Sequence, residues 1–233
     1  FVGTYQSVSS AGDVDGDGLD DILIGAYFND DGGQNAGKVY LILGSSLGTD
    51  STIDLSSADY SFIGENDGDL IGKQAVSSGD VGGDGLDDIL IGSYRNSDGA
   101  QYAGKVYLIL GSSLGTNSTI DLSSADYSFI GESGGSFAGE AVSIIEDVNN
   151  DGRDDILIGA SPPMKSYLVL SSSLGSSSTI NLASADYIFH GEHNGDGTGD
   201  SVSSAGDIDG DGLGDIFIGA PFNNENGTYS GKA

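Results

Sequence analysis

The sequence predicts an all-β fold, a β-propeller built of four-stranded blades. Three observations carry that expectation: a unit that repeats every 67 residues, short runs rich in Val, Ile, Leu and Tyr bounded by turn residues, and no helical periodicity within them. The repeat is anchored by an acidic run, Asp-x-(Asp/Asn/Gly)-x-Asp-Gly-x-x-Asp, at 13–21, 80–88, 147–155 and 207–215. An apolar run and Gly follow each copy at once. The first three copies start 67 residues apart, and the fourth starts 60 further on. Four short strands recurring without helices suit radial blades better than a sandwich.

Each unit reads in the same order. The first strand ends at 7–11, before the acidic loop. The second, 21–26 (Asp-Ile-Leu-Ile-Gly-Ala), is a continuous apolar run, as expected of a strand covered on both faces. The third, 38–43, is rich in β-formers, and the fourth is 60–63. Between them runs a Ser/Thr/Gly-rich connection in which 56–59 can form one short turn. Units fall at about 1–67, 68–134 and 135–194, and 195–233 holds part of a fourth. Segments 38–65 and 105–132 differ only at Asp50 against Asn117, the mark of a recent duplication. The third unit is seven residues shorter because 161–165 replaces the longer loop 27–37. Repeat architectures tolerate such a change when it is confined to a loop. The chain starts abruptly inside a unit, at Phe1-Val2-Gly3-Thr4, and reads as a mature or excised segment without a signal-peptide pattern.

Charge narrows the function classes. With 36 acidic and 7 basic residues the formal net charge is −29, which disfavours nucleic acid and anionic membrane surfaces and attracts divalent cations. Four Ca²⁺ ions would still leave −21, a surface that fits a secreted or salt-tolerant protein. No run approaches the roughly 18–20 apolar residues of a membrane span, so membrane insertion is not expected. The chain has no Cys and therefore no disulfide or thiol chemistry, a usage common in secreted bacterial proteins.

The acidic runs read as Ca²⁺ loops. Ca²⁺ takes six to eight oxygens at about 2.3–2.6 Å, alternate residues of a tight loop can turn their oxygens inward, and Gly supplies the positive φ that wraps the chain. In the first loop Asp13, Asp15 and Asp17 would give side-chain oxygens, Leu19 its carbonyl and Asp21 a closing carboxylate. The fourth repeats this with Asp207, Asp209, Asp211, Leu213 and Asp215. The third offers Asp147, Asn149, Asp151, Arg153 by its carbonyl, and Asp155. The second has Asp80, Asp84, Leu86 and Asp88 but Gly82 at the third position, so it should bind more weakly or recruit water. Without the Glu at position twelve and without flanking helices, these are not EF-hands. The plainer reading is a set of β-turns. Against it, so many carboxylates within nine residues would repel one another without a cation.

The order Phe137-Ala138-Gly139, Val142-Ser143, acidic loop, Ile156-Leu157-Ile158-Gly159-Ala160 resembles the FG-GAP repeat of integrin α-subunit propellers. The fourth copy ends Ile218-Gly219-Ala220-Pro221, the full Gly-Ala-Pro. The resemblance covers essentially the whole chain. It implies a β-propeller, typically of seven blades, with Ca²⁺ between the first and second strands and a role in adhesion or extracellular recognition. FG-GAP repeats also accompany some secreted hydrolases. The chain departs from that pattern in number, with three units and the start of a fourth. Two copies of three and a half make seven, so a homodimer completing a larger propeller is one expectation.

Other candidates are weaker. Two histidines with Glu192, in Phe189-His190-Gly191-Glu192-His193, could hold a transition metal, but a strand end and turn is preferred. No Gly-x-Ser-x-Gly run occurs, and acidic pairs are too common to single one out, so no enzyme is expected. Recognition falls to the loops 27–37, 94–104 and 222–231, with Tyr27 and Tyr94 as contact residues. The expected partner is an extracellular protein or glycan, and the expected location is secreted or cell-surface. An accessory domain of a secreted hydrolase, or a passive spacer in a repetitive surface protein, stands as the alternative.

Overall fold

The computed structural model describes residues 7–48, 52–73, 76–162 and 164–233. Phe1–Thr4, Asp50 and Pro163 of the preceding reading lie outside them. Among the described residues there are sixteen strands, six single 3₁₀ turns and no α-helix. The first unit is a sheet of β1 (Val8–Gly12), β2 (Asp21–Ala26), β3 (Lys38–Ile42) and β4 (Tyr60–Ile63), antiparallel in chain order. The second is β5 (Val76–Gly79), β6 (Asp88–Ser93), β7 (Lys105–Ile109) and β9 (Tyr127–Ile130). The third is β10 (Ala138–Ile145), β11 (Asp155–Ala160), β12 (Lys165–Val169) and β14 (Tyr187–His190). The fourth holds one hairpin, β15 (Ser201–Gly206) and β16 (Asp215–Gly219). The architecture is all-β and consistent with part of a β-propeller. The short turn expected at 56–59 is a 3₁₀ turn one residue earlier, Leu55–Ser57, capped by the Asp54 side chain on the Ser56 N–H.

Two short strands were not foreseen. β8 (Thr119–Asp121), from the connection of the second unit, pairs in parallel with β4 of the first. β13 (Thr179–Asn181), from the third unit, pairs likewise with β9 of the second. Each filled blade therefore has five strands, the outermost lent by the next unit. The first strands lie side by side, with the Ser77 hydroxyl accepting the Ile144 N–H at 3.0 Å and the Ser78 hydroxyl donating to the Ser10 carbonyl at 3.3 Å. Hence first strands form one end of every sheet, and in the two filled blades the strand lent by the next unit forms the other.

The core lies between units. In β6, Ile89 and Ile91 join Leu23, Leu41 and Phe62 of the first unit, while Leu90 joins Ile144, Ile156 and Ile158 of the third. Alternate side chains of one strand thus serve two interfaces, which is why an unbroken apolar run works here. The expectation of burial on both faces holds for β6 and β11 but only on one face of β2, where Leu23 is buried and Ile22 and Ile24 are half-buried. The Gly of the Ile-Gly-Ala run has a steric reason. A Cβ on Gly25 would fall 2.0 Å from the Gly72 carbonyl, and one on Gly159 would fall 2.1 Å from that of Gly199.

The fourth unit contains the first-strand pair.

Candidate metal centre

Each acidic loop links the first two strands of its unit. The turn is made by Gly18, Gly85, Gly152 and Gly212, with φ of 86°, 86°, 86° and 90°. A side chain rarely adopts that backbone. The first Asp organises the loop. Asp13 accepts the N–H groups of Gly16, Asp17 and Gly18 at 2.8, 3.0 and 2.9 Å, and Asp207 accepts those of Gly210, Asp211 and Gly212 at 2.7, 3.0 and 2.9 Å. Asp80 does the same with Gly83, Asp84 and Gly85, and Asp147 with Asn149, Asp151 and Gly152. Burial alone would raise the Asp147 pKa, but the amides of Gly152, Asn149, Asp151 and Asn150 outweigh it and hold the carboxyl below its ordinary value.

The last Asp fastens the loop to the blade. Asp21, 1% exposed, accepts the Val14 N–H at 3.0 Å and the Gly44 N–H at 2.8 Å. Asp88 accepts from Gly82 and Gly111, Asp155 from Val148 and Ser171, and Asp215 from Ile208. Burial pushes Asp21 and Asp155 up, and pushes Asp88 up to about 6, against the pull of those N–H groups. A buried carboxylate held this way lacks a positive partner among the described residues of its loop.

Carboxylate oxygens of Asp13, Asp15 and Asp21 lie within 4.8 Å of one another, as do those of Asp207, Asp209 and Asp215. Oxygens around one Ca²⁺ stand at most about 5 Å apart, twice the usual bond, so both triads fit a single cation. An ionised carboxylate has about four acceptor sites, which leaves room for an ion beside the N–H bonds. Asp17 and Asp211 stand outside the triads. Each accepts the N–H of the next candidate, Leu19 at 2.9 Å and Leu213 at 2.9 Å. Asp84 and Asp151 hold Leu86 and Arg153 at 3.1 Å in the same way. In the third loop Asn149 turns its Oδ1 to the Asp151 N–H at 2.9 Å and its Nδ2 to the Ser172 hydroxyl at 3.4 Å. In the second, Gly82 offers no side-chain oxygen, and its N–H is spent on Asp88.

The loops are also clasped to one another. The Asp13 N–H donates to Asp87 at 2.8 Å while the Asp87 N–H donates back to the Asp13 carbonyl at 3.1 Å. Asp80 and Asp154 repeat the clasp at 3.0 Å both ways. Burial, then neighbouring acids, push Asp154 up to about 6. This role of the eighth motif position was missed. Its signal was Asp at Asp20, Asp87 and Asp154 with no ligand role to fill.

The histidine cluster does not assemble. Among the described residues His190, Glu192 and His193 do not converge as a metal-ligating group, and Glu192 is taken by Lys232 at 2.7 Å. Of the expected contact residues, Tyr27 is buried and Tyr94 half-buried against Lys73, whose Nζ lies 4.5 Å from the ring centre. The exposed aromatics of these loops are instead Phe28, Tyr102, Phe222 and Tyr229. Beside them run grooves of about 520 Å³, lined by Asn66, Asp67, Asp98, Arg95 and Tyr102, and about 400 Å³, lined by His193, Asn194, Phe222 and Glu225.

A family model described as FG-GAP repeat matches residues 5–42, 74–109 and 198–233. The third unit, with its shortened loop, lies outside the matched segments. Integrin alpha-PS2 of Drosophila melanogaster is 35% identical over 120 residues, 49% of this chain and 8% of that protein. Integrin alpha-8 of Mus musculus is 34% identical over 154 residues, 64% of this chain and 13% of that protein. Integrin alpha-PS5 of Drosophila melanogaster is 28% identical over 196 residues, 80% and 18% respectively. The chain thus spans less than a fifth of the length of these relatives. Among the described residues no helix is long and apolar enough to cross a membrane. Three matched FG-GAP segments and the similarity to integrin α subunits support an FG-GAP, integrin-α-like family for this chain.

Proposed function

We propose that this chain is a Ca²⁺-stabilised propeller segment of a secreted or cell-surface protein, serving adhesion or recognition of an extracellular protein or glycan. The observation that carries the cation is the pair of triads, Asp13/Asp15/Asp21 and Asp207/Asp209/Asp215, with oxygens within 4.8 Å. The first, third and fourth loops would bind Ca²⁺ and the second more weakly. Because the ion would bind only the folded loop, it would stabilise by mass action, and no reaction is assigned to it. Recognition would use the exposed Phe28, Tyr102, Phe222 and Tyr229 and the acidic grooves beside them, which mix aromatic faces with polar groups.

Thermal unfolding against free Ca²⁺, with EDTA as the zero point, tests the metal. At a hundredfold excess over Kd each site adds about 2.7 kcal/mol, so three sites should raise Tm by 10 °C or more, as a rough expectation. A folded chain whose Tm ignores Ca²⁺ would reduce the loops to turns. Recognition is tested separately by changing the four aromatics to Ser. Unchanged binding to a glycan array or matrix-protein panel would remove these loops from the reading.

A further inference from the structure

Each of the first two acidic loops is covered by a side chain from the unit that follows it. The fourth motif position is Gly16 in the first loop and Gly83 in the second, and the seventh is Leu19, Leu86, Arg153 and Leu213 in chain order. A Cβ on Gly16 would fall 2.8 Å from the Leu86 side chain, so Leu86 lies over the first loop. One on Gly83 would fall 2.9, 3.0 and 3.2 Å from Cγ, Nε and Cδ of Arg153, so the arginine stem lies over the second. The clasps fix both placements. Leu86 and Arg153 directly precede Asp87 and Asp154, which grip Asp13 and Asp80.

Arg153 is the single basic residue in the four acidic runs, and it lies over the loop that departs furthest from a cation site. The first and fourth loops each bring three carboxylates together, whereas among the described residues the second does not. Its third position is Gly82, and its Asp84 accepts the Leu86 N–H. The Gly83 N–H, bonded to Asp80 at 2.6 Å, belongs to the residue that the arginine stem covers. The charges correspond as well. A Ca²⁺ ion would leave the four candidate carboxylates of the first loop at −2, and one guanidinium leaves the three of the second at the same −2.

We propose that Arg153 is the resident cation of the second loop and sets that loop's low affinity for Ca²⁺. Its guanidinium offsets carboxylates that an ion would otherwise offset, and repels an ion arriving at the same rim. Its stem closes the Gly83 side of the loop, as Leu86 closes the Gly16 side of the first without a charge. The first loop therefore depends on its ion, and the second keeps its shape when Ca²⁺ is withdrawn. Gly82 and Arg153 act as one device across two units, a carboxylate omitted at one position and a cation supplied at the other. The affinity half of the proposal rests on the Ca²⁺ reading of the loops, and the metal-free half stands without it.

Amide NMR titration with Ca²⁺ reads the loops one by one, through Gly18, Gly85 and Gly152 at the same turn of each. Arg153→Gln, which keeps the carbonyl and part of the stem, should strengthen binding reported by Gly85 about tenfold. It should leave Gly18 unchanged and move Gly152 by less than about threefold, and Arg153→Lys should behave as the unmodified chain. Leu86→Arg, which sets the same cation over Gly16, should weaken the first loop by about tenfold. In EDTA at low salt, Arg153→Gln should lower Tm by about 2 °C, a loss that about 1 M salt abolishes. An unchanged Gly85 midpoint in a chain whose Gly18 responds to Ca²⁺ overturns the proposal. So does an equal gain at Gly152, which would make Arg153 a charge on its own loop alone. If Gly18 itself ignores Ca²⁺, the calcium reading has failed and the metal-free arm decides. A salt-sensitive fall in Tm then sustains the resident cation, and an unchanged Tm removes it.

Discussion

The first and second units carry the same third and fourth strands and a connection that differs only at Asp50 against Asn117, yet their side chains meet different surroundings. Tyr40 is half-buried and Tyr107 fully buried. Lys38 pairs with Asp31 at 2.8 Å, and Lys105 makes the equivalent pair with Asp98 but also takes Glu65 from the first unit at 2.9 Å. Ile120 and Leu122 are seated where Ile53 and Leu55 are not. Since the sequences match, the difference belongs to the neighbours. A unit of this fold sets which surfaces are apolar, and the adjoining units decide which of them count as core.

That comparison can be broken by experiment. Tyr107→Ala should cost about 3–5 kcal/mol in chemical unfolding, and Tyr40→Ala about 1. Equal costs would mean that burial between units does not govern stability. Lys105→Met should cost about 2 kcal/mol, because Glu65, 12% exposed, would be left without its cation. The same change at Lys38, whose partner Asp31 is 54% exposed, should cost under about 1 kcal/mol.

The acidic loops give a pH test. Asp88 and Asp154 have pKa values raised by burial from 3.8 to about 6. A carboxyl raised on folding stabilises the fold while protonated, below about pH 4, and that contribution is lost as pH climbs through about 6. In EDTA the Tm should therefore fall by roughly 5 °C between pH 4 and pH 7. Saturating Ca²⁺, which needs ionised ligands, should reverse the trend. A flat profile in EDTA would mean that these acids are solvated as in the unfolded chain.

A last test concerns the one candidate ligand position that separates the first two loops, Asp15 against Gly82. Gly82→Asp should raise Ca²⁺ affinity at the second loop about tenfold, a 1.4 kcal/mol effect, and Asp15→Gly should lower it at the first by as much. Calorimetric titration of the two variants would sharpen or erase the distinction.

Much of this was legible. The 67-residue spacing gave the units, the apolar runs gave the second and third strands, and Asp-Gly gave the loop turns. The fifth strands were not, because Thr119-Ile120-Asp121 is three residues long and its partner lies 58 positions away. Neither was the clasp, since Asp87 meets Asp13 across 74 residues. The open face of β2 was hidden for another reason. Asp-Ile-Leu-Ile-Gly is written identically in β2, β6 and β11, and strand chemistry does not change with the presence of a neighbour.

The borrowed outer strand also bears on how such a chain grows. Each of the first three units carries one tab, its Thr-Ile-Asx segment, and one slot, the edge of its fourth strand. Copying a whole unit in frame adds a tab and a slot that satisfy each other and those alongside, so the tally of unmatched ends stays the same. The twin segments 38–65 and 105–132 are what such a copying event leaves behind. Lengthening by duplication is then structurally neutral at every internal position. Loss of part of a unit would strand a tab or a slot.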